Sequence, residues 1–252
     1  LYHDQKLIDL LNMTAGDQKY AYNSSILKKG SFLADGSQYS NGFIDMYDVG
    51  LLAMNYFRNT KPSENRMYNY NVMNTKLILN YILFKVGEEK FQDLLDKAFR
   101  EKARIKDGVY FYSIMGNKQS GIENMFYATR LDYLRIAKSI MDEYQNDTCF
   151  GKYLKEIYER RVPKSLNHNG NRGEPHYNRT KSYGGQFHLD YPGLEDKVVF
   201  GMGGYGGKAI LIDVEDSRIV VVNTIHYNND RFKYDHKKLL INPIKHGKEI
   251  FK

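Results

Sequence analysis

Gly201-x-Gly203-x-x-Gly206, inside "VVFGMGGYGGKAILIDVEDSRIVVVNTIH" (198–226), has the spacing of a dinucleotide-binding loop. Such a loop needs a strand before it and a helix after it, because the helix N-terminus holds the pyrophosphate. Here the residues after Gly207, "KAILID", alternate as a strand and run directly into another strand. No acidic residue ends a second parallel strand. A nicotinamide or flavin is therefore not expected, and no other cofactor is implied. Glycines have two further uses at such a place. They let a ligand lie against a strand edge and take bare N–H groups, one of them aimed at a developing oxyanion, or they make a bulge in an antiparallel sheet. Spacing alone leaves both open.

Other reactive types are scattered. Ser25-Ile-Leu-Lys28 is a Ser-x-x-Lys string that would place both side chains on one helical face, but it falls in a polar loop and such strings arise by chance. The seven histidines share no metal-ligand spacing; His168 and His176 lie in one loop with Glu174 and read as surface groups, so no metal is expected. Glu88, Glu89, Asp93 and Asp96 sit among lysines on helical faces and read as solvated. Cys149 is the single cysteine, which excludes an internal disulfide, and no histidine nearby in sequence makes it a thiol nucleophile. The formal charge of +7 comes from 37 basic and 30 acidic residues spread along 252 positions. Without a basic cluster or a recognition motif, nucleic acid is not an expected partner. The richest apolar run, "LILNYILF" (77–84), is broken by Asn80, which argues against a membrane span.

These groups need elements to hold them. "QKLIDLLNM" (5–13) has helical spacing, ended by Gly16, and 17–45 reads as a long loop. "DVGLLAMNYF" (48–57), "NTKLILNYILFKV" (74–86) and "EEKFQDLLDKAF" (88–99) read as helices, the last with Phe91, Leu94, Leu95 and Ala98 on one face. "TRLDYLRIAKSIMDEY" (129–144) carries a capping box, Thr129 with Asp132, and an expected buried stripe of Leu131, Leu134, Ala137 and Met141. After a polar loop at 162–181 come four expected strands, "YGGQFHL", "KVVFGM", "KAILIDV" and "RIVVVNTI". The last two are joined by "EDS" as a hairpin.

In order along the chain, five segments resemble the serine β-lactamase and penicillin-binding-protein-like hydrolases, above all the branch with class C β-lactamases, esterases and nylon-oligomer hydrolases. "LIDLLNMTAGD" is similar to that family's "LLTMTSG", and "RMYNYNVMNTKLILNYILFKV" to the segment with its catalytic tyrosine. "GIENMFYATRLDYLRIA" resembles "GGLxATxRDLARFG", "YGGQFHLD" resembles "YGYQWWLD", and "FGMGGYGGKAILIDVEDSRIVVV" resembles the third motif and its hairpin. The resemblance implies an α/β (α+β) architecture of the β-lactamase/transpeptidase type. It would be a single domain over 1–252, with a helical lobe at about 17–160 and a sheet portion at about 182–252. The resemblance also tips the compartment towards the periplasm or the extracellular space, which the sequence itself leaves open.

What the resemblance implies chemically is hydrolysis of an ester, amide or lactam through an acyl-enzyme. By position, Tyr70 matches the motif tyrosine, which acts with a lysine in proton transfer to and from a nucleophilic serine. Asn71 and Asn74 flank it as substrate contacts. Met202, Gly203 and Gly204 form the strand edge, and the N–H of Tyr205 supplies half of the oxyanion hole. Val72 stands where class C enzymes often have Asn, and Met202 where the family often has a cation. Both departures lean away from β-lactams and towards esters or amides. The family's Ser-x-x-Lys precedes the "LLTMTSG" segment, so the nucleophile is expected upstream of residue 1, and an upstream segment or a partner chain is expected to complete the sheet. The alternative is a catalytically inactive relative that serves as a binding or structural protein.

Overall fold

The structure is a computed structural model, and it describes residues 6–14, 68, 70, 72–107, 110–113, 122–164, 180–204, 208–223 and 237–247. The helix expected at 48–57, the loop at 17–45, Asn71 and Tyr205 lie outside the described residues. The chain divides into two compact units, Leu1–Leu94 with Val109–Tyr127, and Leu95–Gly108 with Ala128–Lys252.

In the first unit α1 spans Leu7–Leu11, α2 Val72–Val86 and α3 Glu88–Leu95, followed by a hairpin of β1 (Tyr110–Ser113) and β2 (Ile122–Tyr127). α1 and β2 both pack on α2. Leu10 and Met13 are buried at the end of α1, as the helical spacing of 5–13 requires. The stripe expected on 88–99 holds only in part: Phe91 is buried, whereas Leu94 is exposed. The helix also widens to a π-type turn over Asp96–Lys102, which belongs to the second unit and rotates Ala98 outwards.

The second unit is α+β. Helices α4 (Arg130–Gln145) and α5 (Cys149–Glu159) precede a six-stranded antiparallel sheet with strands in simple sequence order: β3 (Val162–Pro163), β4 (Ser182–Gly184), β5 (Phe187–Leu189), β6 (Val199–Gly204), β7 (Lys208–Asp213) and β8 (Arg218–Val222). "YGGQFHL", expected as one strand, is a hairpin instead. Gly185 and Gln186 both have positive φ, 55° and 72°, and make the two-residue turn between β4 and β5. The β7–β8 hairpin forms as expected. The Asp213 carboxylate accepts the amides of Glu215 and Asp216 at 3.2 and 3.1 Å, which closes the turn.

Alternation sorts the sheet into two faces. One carries Phe187, Leu189, Phe200, Ile210 and Ile212 against Ala137 and Met141 of α4 and Leu154 and Ile157 of α5. Phe200 is at its centre, with the rings of Phe187, Tyr144 and Tyr158 at 5.3, 5.9 and 6.0 Å. The buried stripe of α4 differs from the expected one, because Leu131 and Leu134 are 61% and 41% exposed. Two helical stripes share Ala137 and Met141. The one that continues through Tyr133, Ile140 and Tyr144 faces the sheet, since large aromatic rings bury more area there than two leucines would. On the opposite face Val199, Ala209 and Leu211 meet Leu240 and Ile244. Those come from a helical segment that the sequence reading did not anticipate, a π-type turn at Lys237–Ile241 running into α6 (Asn242–His246). Arg218 anchors α6 by donating to the carbonyls of Ile244 and Lys245 at 2.5 and 3.0 Å. Among the described residues no helix is long and apolar enough to cross a membrane.

Candidate functional site

The glycine stretch lies on β6 and pairs with β7 from Val199↔Asp213 to Gly204↔Lys208. It is thus the arm of an antiparallel hairpin, not a loop that feeds a helix. Its two sides differ. β5 meets β6 at His188↔Gly201, whereas Gly203 and Gly204 have register partners on β7 and none on β5 among the described residues. Both are exposed. Among the described residues their backbone therefore runs on past the β5 ladder without a register partner on that side, the kind of edge along which an extended ligand can pair.

Alternation also explains which glycines the face needs. Met202 points to the α4–α5 side and packs on that core. Gly201 and Gly203 are on the other face. A Cβ at Gly201 would lie 1.8 Å from Tyr191 Oη and 2.6 Å from its Cζ, so the buried Tyr191 ring occupies the space over that glycine. Burial pushes the Tyr191 phenol well above its ordinary value, which makes it a neutral packing group. A Cβ at Gly203 would lie 3.7 Å from His188 Nε2. Directly opposite residues on neighbouring strands are His188 and Gly201, so His188 leans along the diagonal to Gly203.

His188 is held from two sides. The Tyr183 ring, buried and opposite it on β4, meets the imidazole edge-on at 5.1 Å and 83°. Lys164, just after β3, brings its Nζ to 2.9 Å from His188 Nδ1 and also donates to Thr180 Oγ1. Burial pushes the Lys164 amine down to about 7. Burial, and then the Lys164 charge, hold His188 well below its ordinary value, so its ring is neutral at physiological pH. A tyrosine and a histidine from two strands, β4 and β5, thus meet a lysine and a threonine from the chain beside β3 and β4 at the end of the β5–β6 ladder.

Compared with protein-family models, curated proteins and solved structures, the chain matches none.

The remaining sequence candidates are in the first unit. Tyr70 is half-buried, two positions before the first residue of α2. Asn74, in the first turn of α2, is 2% exposed and donates Nδ2 to Met13 Sδ at 3.5 Å, so its side chain ties α2 to the end of α1. Sequence reasoning missed Lys164 and His188 altogether. His188 was one of seven undistinguished histidines, and Lys164 sat in a polar loop. The one usable signal was the Gly-Gln turn in "YGGQFHL", which doubles the segment back and places His188 opposite Tyr183.

Proposed function

We propose that this chain is part of a serine hydrolase of the β-lactamase and penicillin-binding-protein-like kind. It would act on an ester, amide or lactam through an acyl-enzyme and have that family's fold. Support comes first from one observation: β6 carries exposed Gly203 and Gly204 past the end of the β5 ladder, with no register partner on that side among the described residues. An acyl group laid there finds peptide N–H groups for pairing and for a developing oxyanion. The order of the five resembling segments supports the same reading. Tyr70 would take part in proton transfer, and a serine upstream of residue 1 would carry the acyl group. Within this reading β8, the last strand in the sheet order among the described residues, takes a further strand from the upstream segment or from a partner chain.

A fluorophosphonate probe on the full-length protein, read by peptide mass spectrometry, tests the proposal. One labelled serine in an upstream Ser-x-x-Lys is the expected result, with Ser25 unlabelled. Tyr70→Phe should slow labelling by about 100-fold, the low end for loss of a proton-transfer group. No labelled serine, or labelling indifferent to Tyr70→Phe, overturns it.

A further inference from the structure

Arg104 stands in a backbone conformation that its residue type disfavours. Its φ is 53°, in the left-handed region where a helix C-terminus ordinarily places glycine or asparagine. The π-type turn over Asp96–Lys102 ends here. Ala103 and Ile105 are buried on either side, and their amides donate to the carbonyls of Ala98 and Phe99 at 3.2 and 3.0 Å. Folding thus requires the left-handed conformation but not an arginine, which costs stability at such a position. No ion pair offsets that cost, because the guanidinium is exposed and makes none among the described residues.

That guanidinium lines a groove of about 270 Å³ within the second unit. One bank is the end of the π-type turn, with Glu101 and Lys102. The other is the second half of α4, where Ser139, Asp142 and Asn146 follow at helical spacing on one face. Pairing sorts the charges. Lys102 Nζ meets Glu143 Oε1 at 3.0 Å, and Lys138 Nζ meets Asp142 Oδ2 at 2.5 Å. Arg104 and Glu101 remain, one of each sign, and neither makes an ion pair among the described residues. The Ser139 hydroxyl has no hydrogen-bond partner among them either. Asn146 engages only its Nδ2, on the Asp142 carbonyl at 2.8 Å, which leaves its Oδ1 to accept.

We propose that this groove binds a small zwitterion of the α-amino acid class. Arg104 takes the carboxylate with two parallel N–H groups, and Glu101 takes the ammonium, with Ser139 and Asn146 Oδ1 as further acceptors for its protons. A lone anion would meet three carboxylates on these banks, and a lone cation would meet Arg104 and Lys102. A ligand of both signs fits where either sign alone is opposed. None of these residues belongs to the glycine strand, so the site stands whether or not the chain is a hydrolase.

Titration of the full-length protein with glycine, followed by 1H–15N spectra, tests this. Saturating shifts are expected at the Arg104 Nε–H and at the amides of Ser139 and Asn146. Acetate and methylammonium, which each carry one of the two charges, should bind at least about tenfold more weakly. Arg104→Gln should weaken glycine binding by about the same factor. Glu101→Gln should also weaken glycine but strengthen acetate, since it removes a like charge from beside the carboxylate. Arg104→Gly should abolish binding and raise the melting temperature, because glycine adopts the left-handed conformation without strain. Absence of shifts with glycine overturns the proposal, as does acetate binding as tightly as glycine. Glycine binding that survives Arg104→Gln overturns it too, and so does a lower melting temperature in Arg104→Gly.

Discussion

At Gly201 and Gly203 a missing Cβ is used twice on one sheet face. Over Gly201 the gap is filled by Tyr191, whose Oη would lie 1.8 Å from an added methyl. Over Gly203 the gap meets the polar edge of His188 and is open to solvent. The same residue type thus serves packing at one position and access at the next position on that face. Gly201→Ala should destabilise the protein by about 2 kcal/mol, the usual cost of forcing a methyl into a filled core. Tyr191→Leu in the same chain should recover part of that loss, and a coupling above about 1 kcal/mol in a urea-denaturation cycle is the expected signature. Additive effects would mean that the ring does not fill this gap. Gly203→Ala, with only His188 at 3.7 Å, should cost far less stability.

Among the elements, α4 is tied at its first turn by one residue. Thr129 caps the helix by accepting the Asp132 amide at 3.2 Å, and the buried Asp132 carboxylate accepts the amides of Lys106 and Asp107 at 3.0 Å each. Arg135 adds a donor at 2.5 Å. Burial acts to raise the Asp132 carboxyl, but the Lys106 amide, Arg135, the Asp107 amide and Thr129 together hold it below the ordinary 3.8. A carboxyl lowered in the folded state stabilises the fold above its unfolded value and loses that contribution as pH falls through its folded value. Asp132→Asn turns one acceptor into a donor facing an amide, and should cost about 2 kcal/mol at neutral pH. The melting-temperature gap between wild type and Asp132→Asn should then narrow as pH drops below 3.8. A gap that stays constant down to acid would mean that the charge of Asp132 is not what anchors the helix.

On the scale of the whole molecule, the second unit is organised around the two-faced sheet, with α4 and α5 on one side and α6 on part of the other. Phe200 is fully buried at the centre of the helix-facing core, with three rings within 6.0 Å. Phe200→Ala should cost about 4 kcal/mol by lost burial and an incompletely collapsed cavity. In guanidinium titration the midpoint should move with little change in slope. On the opposite side, α6 covers the β7–β8 half of the sheet face, whereas Tyr183, Lys164 and His188 gather towards β4, β5 and the end of β6. That division of one face into a packed half and a polar half is what gives the glycine strand a chemical neighbourhood.

Local patterns were legible wherever a residue and its partners are close in sequence. The N-cap at Thr129, the β7–β8 hairpin with its acidic turn, and the strand after the glycines all follow from spacing and alternation, since neighbours along the chain decide them; the return bond of the expected capping box does not form, because the Asp132 carboxylate is taken by Lys106, Asp107 and Arg135. The same spacing excluded a dinucleotide loop, because the helix such a loop needs is not written there. Three matters were decided only by tertiary contact. α4 had two apolar stripes of similar strength, and the sheet chose the aromatic one. "YGGQFHL" had enough strand character to pass as a single strand, and only its doubling back placed His188 beside Gly201. Lys164 and His188 are 24 positions apart with no shared motif, so their meeting at 2.9 Å depends on the register of β3, β4 and β5 together. Periodicity reports which face a residue takes within its own element; which side chains meet on that face is set by how separate elements stack, and no local pattern carries that.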